Sequence, residues 1–393
     1  MKVEPRTLKG FRDFLPKGAR KRNYVLNILK EVFESYGFEP LETPVLEYEE
    51  ILAGKYGEEG DKLMYKFVDN GGRKVAMRYD QTVPLARVVA QYANDLPLPF
   101  KRYQIQNVYR ADNTQKGRYR EFLQVDVDTV GSLSNLADAE IIKLTIDSYQ
   151  KLGFKNFKVL INDRKVFEKL DKKAIIIIDK LEKIGMERVR DELKASDISP
   201  DLIDEIKNQK PTESVKACSQ ILKNIGINEE VLEFDPTLAR GLDYYTGLIF
   251  EVKSENYPTG SLGGGGRYDE LIGMFAGRPI PAVGFSFGFD RVIEAMEELN
   301  LFPRDLGGTK VLVTNTSDRS AQIANELRAK NLNAELYVDE KDLDKQLKYA
   351  DKKQIPYVLI IEDENLTLKN MKTGEKQTGT LDELSNALLK QSG

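Results

Sequence analysis

The stretch Lys101-Arg102-Tyr103-Gln104-Ile105-Gln106-Asn107-Val108-Tyr109-Arg110, with Gly117-Arg118-Tyr119-Arg120-Glu121-Phe122 beyond a polar loop, decides how the fold is read. A strand that ends in Arg110, a turn, and a returning strand carrying Arg118 and Arg120 form an antiparallel hairpin that points three guanidiniums at a common anion. Arginine suits that task because its planar fork binds phosphate oxygens two at a time and keeps its charge. A hairpin tied by surface ion pairs to Asp112 and Glu121 fits the same residues. Working outward, alternating apolar stretches near 64–69, 122–130 and 157–161 predict further antiparallel strands, with a helix over 136–152 between the last two.

Upstream, Val25, Ile28, Leu29, Val32 and Phe33 fall at helical spacing, which predicts a helix from near Lys17 to Tyr36 that Gly37 ends. Phe38 to Glu47 then runs extended, and Pro40 and Pro44 confine it to an edge or an interface. Downstream, residues 165–229 are rich in lysine and glutamate, keep helical periodicity and contain almost no glycine; they read as a helical insertion. Strand-and-glycine texture returns over 232–290, and a helix from Gly288 carries Val292, Ile293 and Met296. Beyond the linker Phe302-Pro303-Arg304-Asp305-Leu306-Gly307-Gly308, strands at 311–313, 334–337 and 357–361 alternate with helices at 319–330 and 341–352. That βαβαβ order predicts a compact α/β domain around a mainly parallel sheet. The expected division is 1–164 and 230–302 for one discontinuous domain, 165–229 for the insertion, 303–308 for the linker and 309–393 for the last domain.

Composition narrows the function classes. Hydrophobic residues make up 41% and charged residues 31% of the chain, which describes a water-soluble globular protein. No apolar run approaches the roughly 18 residues of a membrane span, and Met1 to Pro5 shows no apolar signal region. The single Cys218 rules out an internal disulfide framework and fits a reducing cytoplasm. With no histidine and one cysteine, a thiolate or imidazole zinc site is excluded. Residues 1–24 hold eight Lys or Arg against two acids, either a phosphate-facing patch or a solvated helix face.

Arg240-Gly241-Leu242-Asp243-Tyr244-Tyr245-Thr246-Gly247 crowds a cation, an acid and two phenols between glycines that admit a ligand close to the backbone. Leu248-Ile249-Phe250 follows, so the cluster lies at a turn feeding a strand. It reads as a ligand loop or as a polar hairpin turn. Strict alternation would put Arg240 and Tyr245 on opposite faces, so both reach one ligand only if the segment bends. Asp80 and Thr82, in Arg78-Tyr79-Asp80-Gln81-Thr82, and Gln124, Asp126 and Asp128, sharing one strand face, offer the acceptor oxygens that an ammonium group needs. Either of the acids Asp80 and Asp128 also fits a structural turn. Gly263 to Gly266 suggests a nucleotide loop, but the G-x-G-x-x-G helix context is missing.

Taken together, the Arg240–Gly247 string, the Lys101–Phe122 hairpin, Glu42-Thr43-Pro44 and Gly284-Phe285-Ser286-Phe287-Gly288-Phe289-Asp290-Arg291 resemble the signature segments of histidyl-tRNA synthetases, which are class II aminoacyl-tRNA synthetases. The likeness runs from Gly10-Phe11-Arg12-Asp13 to the last domain. It implies an α+β fold: an antiparallel sheet flanked by helices, a helical insertion and a C-terminal α/β anticodon-binding domain. It implies a histidine–tRNA ligase that makes histidyl-adenylate from histidine and ATP with Mg²⁺, then charges its tRNA, as a cytoplasmic homodimer. Catalysis would fall to Arg240 and Arg110. Asp80, Thr82, Gln124 and Asp128 would meet the substrate amino group, where some family members carry Glu for the two acids. Arg240, Tyr244, Tyr245 and Tyr268 complete the histidine pocket, with Tyr245 and Tyr268 beside the imidazole. Arg110, Arg118 and Arg291 would hold ATP, and Gln115, Lys116 and Arg120 the tRNA acceptor end.

The absence of histidine removes the usual general base near neutral pH. Adenylation needs none, because the attacking group is already a carboxylate and the charge that builds on phosphate is met by cations. Two rivals remain. A non-catalytic regulator like the synthetase-like subunit of ATP phosphoribosyltransferase would have lost site residues and the last domain, yet Arg110, Arg240, Arg291 and residues 309–393 are all here. A synthetase for another amino acid is disfavoured by the Arg240–Gly247 string.

Overall fold

Ten cross-strand pairs, from Phe100 opposite Val130 to Tyr109 opposite Glu121, build the expected hairpin into the molecule's largest sheet, next to its edge strand. The computed structural model describes residues 3–114, 118–239, 244–258, 260–303, 305–339, 341–362 and 365–390. Among them, eight strands line up as Glu39–Pro40, Phe100–Tyr109, Glu121–Val130, Ala282–Phe287, Gly263–Arg267, Leu248–Ser254, Phe157–Asp163 and Leu232–Phe234. The two outermost junctions are parallel and the interior ones antiparallel. Glu39–Pro40 is an edge strand, as its proline requires.

Alternation sorts this sheet's residues between two environments. Tyr103, Val125, Val127, Phe250, Phe285 and Phe287 turn to a core roofed by the helices Pro16–Ser35 and Asn135–Lys151, through Val25, Leu29, Phe33, Ile142 and Tyr149. The opposite face of the hairpin is polar. Arg102, Gln104 and Gln106 stand opposite Asp128, Asp126 and Gln124 in register. A smaller antiparallel sheet, Leu46–Tyr48, Lys74–Met77 and Lys66–Val68, leads into the helix Thr82–Gln91.

The insertion is helical but not uniform. Helices Lys172–Ile178, Leu181–Lys194 and Leu202–Lys207 gather around Leu160, Tyr245 and Ile249 of the sheet side. Glu213–Asn224 instead sends Val215, Cys218 and Leu222 into the main core, so by packing it belongs to the sheet's cover. The chain divides into two compact units, 1–302 and 303–393. In the second, Ala334–Leu336, Val311–Val313 and Tyr357–Glu362 are parallel neighbours, as the βαβαβ reading requires. Two antiparallel strands, Asn365–Asn370 and Lys376–Gly379, and a helix Leu381–Lys390 extend it beyond the expected elements. The strand residues Leu366 and Leu368 point inward between polar neighbours, a pattern too short to register in sequence. No helix among the described residues is long and apolar enough to cross a membrane.

The glycine run is a buried interior strand, not a phosphate loop. A methyl group on Gly265 would stand 2.0 Å from the Gly284 carbonyl oxygen, and one on Gly266 2.8 Å from the Tyr245 ring. By contrast, nothing lies within 4 Å of a methyl on Gly18, in the first turn of the N-terminal helix. Gly265→Ala is therefore expected to lower unfolding free energy by about 3 kcal/mol or more, and Gly18→Ala to leave it unchanged or raise it by up to about 1 kcal/mol. Urea unfolding of the two variants checks this; similar midpoints would contradict the packing argument.

Candidate active site

A cavity of about 1200 Å³ opens on the polar face of the hairpin. Its lining brings together Asp80, Thr82, Gln124, Asp128, Tyr244, Tyr245 and Tyr268 with Arg110, Arg118 and Arg291. These residues come from segments far apart in the chain, and the sheet register is what converges them.

At one end the floor is the polar ladder. Gln124 Nε2 donates to Asp126 Oδ2 at 2.8 Å, and Gln124 Oε1 and Asp126 Oδ1 stay buried without a hydrogen-bond partner. Two unpartnered acceptors at the bottom of a cavity suit a ligand rich in donors. Burial pushes the Asp126 carboxyl up to about 7; Arg102 opposes the rise, Asp128 adds to it, Ser286 opposes it and Asp80 adds to it. Asp80 is fully ringed: its Oδ1 accepts from Tyr56 Oη at 2.8 Å and from the amides of Thr82 and Val83 at 3.1 Å. It is thus a turn residue that starts the helix Thr82–Gln91, and it also lines the cavity. Burial raises its pKa, against the pull of Tyr56 and the Val83 amide.

Aromatic rings wall the next part. Tyr244 lies 5.0 Å from Tyr245 and 5.8 Å, edge-on, from Tyr268, while Tyr56 and Tyr79 pair at 4.7 Å. Tyr268 donates to Asp128 Oδ1 at 2.5 Å, and Asp128 Oδ2 lies 2.8 Å from Arg102 Nη2, an ion pair rather than an aligned hydrogen bond. Tyr245 lies ahead of the strand that begins at Leu248, and the segment in which the bend was expected begins outside the described residues. Arg240 itself lies outside the described residues.

The cations complete the lining, and Arg110 lies close enough to Asp80 to oppose the rise of its pKa. Arg110 donates from Nε to the Tyr79 carbonyl at 3.0 Å, and its guanidinium sits 4.5 Å from the Tyr79 ring and 5.2 Å from the Phe122 ring. One bond and two ring faces fix the fork's orientation. Arg291, in the first turn of the helix Phe289–Glu298, donates to the Ser261 carbonyl at 2.9 Å. Neighbouring Asp290 is held by Arg12 at 2.8 Å and Arg22 at 2.7 Å, and Glu297 by Lys21 at 2.6 Å. Part of the basic N-terminal segment therefore serves internal pairing rather than an external phosphate. Arg120 is not in the cavity lining; it donates to the Asp112 carbonyl at 3.1 Å and lies under Gly10. Gln115 and Lys116 lie outside the described residues. Sequence reasoning left out Tyr56 and Arg102, and the family resemblance passed over Asp126, which the shared strand face had singled out. Only the last two carry a signal, polar residues at alternate positions of buried strands.

A family model described as histidyl-tRNA synthetase matches residues 10–200 and 200–292, and one described as an anticodon binding domain matches 309–391. A histidine–tRNA ligase of Christiangramia forsetii is 39% identical, covering 99% of this chain and 100% of the relative. A crystal structure of histidyl-tRNA synthetase from a Nostoc species superposes with a TM-score of 0.83 at 30% identity, over 99% of this chain and all of the other. A Bacillus halodurans structure described as an ATP phosphoribosyltransferase regulatory subunit/histidyl-tRNA synthetase reaches 0.71 at 26% identity, over 89% of this chain and 97% of the other.

If the Asp126 carboxyl titrates near 7 when the cavity is empty, an incoming ammonium lowers its pKa and expels the proton. Histidine binding near pH 7 is expected to release about half a proton more in the native protein than in Asp126→Asn. The excess should fade as pH rises and Asp126 is already ionised. Calorimetry in two buffers of different ionisation heat measures it; equal release by both proteins would remove Asp126 from the site.

Proposed function

The chain belongs to the histidyl-tRNA synthetase family and is a histidine–tRNA ligase, and from that premise we propose how its cavity divides the work. The observation that carries the reading is the convergence of unpartnered acceptors, a tyrosine wall and oriented arginines in one cavity. Asp80, Thr82, Gln124 and Asp128 receive the substrate's ammonium end, with Asp126 adding charge beneath. Tyr244, Tyr245 and Tyr268 enclose the imidazole. That leaves the carboxylate facing the cationic end, where Arg110 meets the α-phosphate of ATP and Arg118 and Arg291 its outer phosphates.

Attack by the carboxylate on the α-phosphorus expels pyrophosphate and leaves histidyl-adenylate. The ribose hydroxyl of the tRNA then displaces AMP, with a phosphate oxygen of the adenylate accepting the proton. No histidine is needed in either step. The Mg²⁺ that accompanies ATP enters as part of the substrate, on its phosphate oxygens. Arg240, on the signature loop, shares the α-phosphate with Arg110. Arg240→Ala should lower kcat for ATP–pyrophosphate exchange by roughly 10²–10³ while the KM for histidine rises less. Near-native exchange in the folded variant would refute that role.

Gln115, Lys116 and Arg120 are assigned to the acceptor end of the tRNA, and residues 309–393 to its anticodon. Within the latter, Tyr349 and Lys353 are already committed to Glu335, at 2.5 and 2.6 Å, and Lys345 pairs with Asp342 at 3.4 Å, so the exposed Lys348 and Lys352 are the cations proposed for RNA on that helix. A second copy of this chain covers Val45, Leu46, Tyr48, Phe67 and Val68, apolar residues left exposed on the small sheet. The buried, unpaired Cys218 supports a reducing, cytoplasmic setting. A chain ending at Leu306 should still sediment as a dimer and make histidyl-adenylate. It should charge tRNA with a much higher KM and a flatter salt dependence. Unchanged tRNA affinity would take residues 309–393 out of anticodon recognition, and a monomer would leave the small sheet without its partner.

A further inference from the structure

We propose that Arg102 is a positioning residue that fixes the direction of the hydrogen bonds at the ring end of the cavity, so that Tyr268 offers the imidazole a lone pair and not its proton. The inference rests on the placement of the histidine ring beside Tyr268.

Arg102 is fully buried and does not line the cavity, so it acts on a ligand only through its neighbours. A guanidinium keeps its charge even when buried and must be matched by an anion. Asp128, its partner across the strands, supplies one at 2.8 Å, and the weaker contact of Arg102 Nη1 with Gln104 Oε1 is 3.3 Å. The other oxygen of Asp128 lies 2.5 Å from Tyr268. Between a phenol and an ionised carboxylate only the phenol has a proton to give. Tyr268 therefore spends its single proton on Asp128, and what it turns to the cavity is an acceptor. It satisfies a ring N–H and repels a ring nitrogen that bears only a lone pair. The direction is relayed from Arg102 to Asp128 to Tyr268 to the substrate.

The relay depends on Asp128 being ionised, which its surroundings otherwise resist. Burial raises its pKa, and Arg102 and then Tyr268 oppose that. The strand Ala282–Phe287 faces it with Gly284 and no charge; a methyl there would stand 1.9 Å from Asp128 Oδ1. On its own strand Asp126 adds negative charge nearby, and Asp80 acts on Asp126 in turn. Arg102 is the cation on this group. Without it, Asp128 takes up a proton, becomes a donor itself and releases the Tyr268 hydroxyl to point either way.

The test measures KM for histidine and for ATP in pyrophosphate exchange across pH, each as a ratio to the native enzyme, which cancels the titration of free histidine. Thiazolylalanine, whose ring nitrogen carries no hydrogen, serves as the competing substrate. Arg102→Gln should raise the histidine KM roughly tenfold or more at the acid end, with the ratio falling toward one as pH rises and Asp128 ionises. The ATP ratio should stay near one, and discrimination against thiazolylalanine should weaken only where the histidine KM is raised. Arg102→Lys should keep a flat, native-like profile. Asp128→Asn should lose discrimination at every pH with no trend, and it decides the matter should Arg102→Gln fail to fold. A pH-independent Arg102→Gln ratio, equal changes in both KM values, or full discrimination in Asp128→Asn would overturn the proposal. Tyr268→Phe separates the two levels of inference. If it leaves the histidine KM untouched, the ring is not read by Tyr268 at all; if it raises KM while the Arg102 profile stays flat, only the relay fails.

Discussion

Everything at the site depends on one register, Arg102 opposite Asp128, with Gln104 opposite Asp126 and Gln106 opposite Gln124. A slip of one residue would turn this polar ladder into the core and Val125 and Val127 into the cavity. Two boundaries pin the register. On the core side, Tyr103, Val125 and Val127 pack under two helices. On the other, Gln106 Oε1 collects donors from Arg78 at 2.8 Å, Gln104 at 2.6 Å and the Thr43 amide at 3.0 Å. Arg78 also donates to the carbonyls of Thr43 and Asn107 at 2.7 and 2.6 Å, which ties the proline-bearing segment and the start of the helix Thr82–Gln91 to the same ladder. The buried polar groups of the hairpin thus serve as a locating device as well as a binding surface.

Charge is distributed along the cavity in keeping with the reaction. Carboxyl groups whose ionisation is resisted by burial gather where the proposed reading places the substrate ammonium, which would supply the countercharge they lack. Arginines oriented by carbonyls and ring faces line the same cavity, where the proposed reading places the phosphate charge. The tyrosines wall the same cavity, with Tyr244 packed against both Tyr245 and Tyr268. Geometry does here what a titrating base does in many other enzymes.

Much of this was legible in the residues. The hairpin, its neighbouring strands, the N-terminal helix and the parallel strands of the second unit follow from periodicity and turn residues, and the boundaries differ by a residue or two. The cavity residues were named from motifs, which report chemistry without geometry. Arg102 escaped because its partner is 26 positions away and becomes visible only once the two strands are aligned. Tyr56 escaped for a harder reason: it precedes a short helix with no periodic signal, and only the folded chain carries it to Asp80. The helix Glu213–Asn224 reads as part of the insertion by composition, whereas packing assigns it to the main core.

The strand of glycines has a consequence for how such a site can change. Gly263 and Gly264, with Gly284 beside them, give the cavity a wall made of main chain. Such a wall has no rotamers to freeze when a ligand arrives, so it costs little conformational entropy on binding. It is also a wall from which nothing can be trimmed. Any substitution adds atoms, which at Gly263 and Gly284 would run into Phe285 and Asp128, so the chamber cannot be enlarged along that side. A shift toward a bulkier substrate would have to start from the tyrosines, the side chains that define what the pocket recognises.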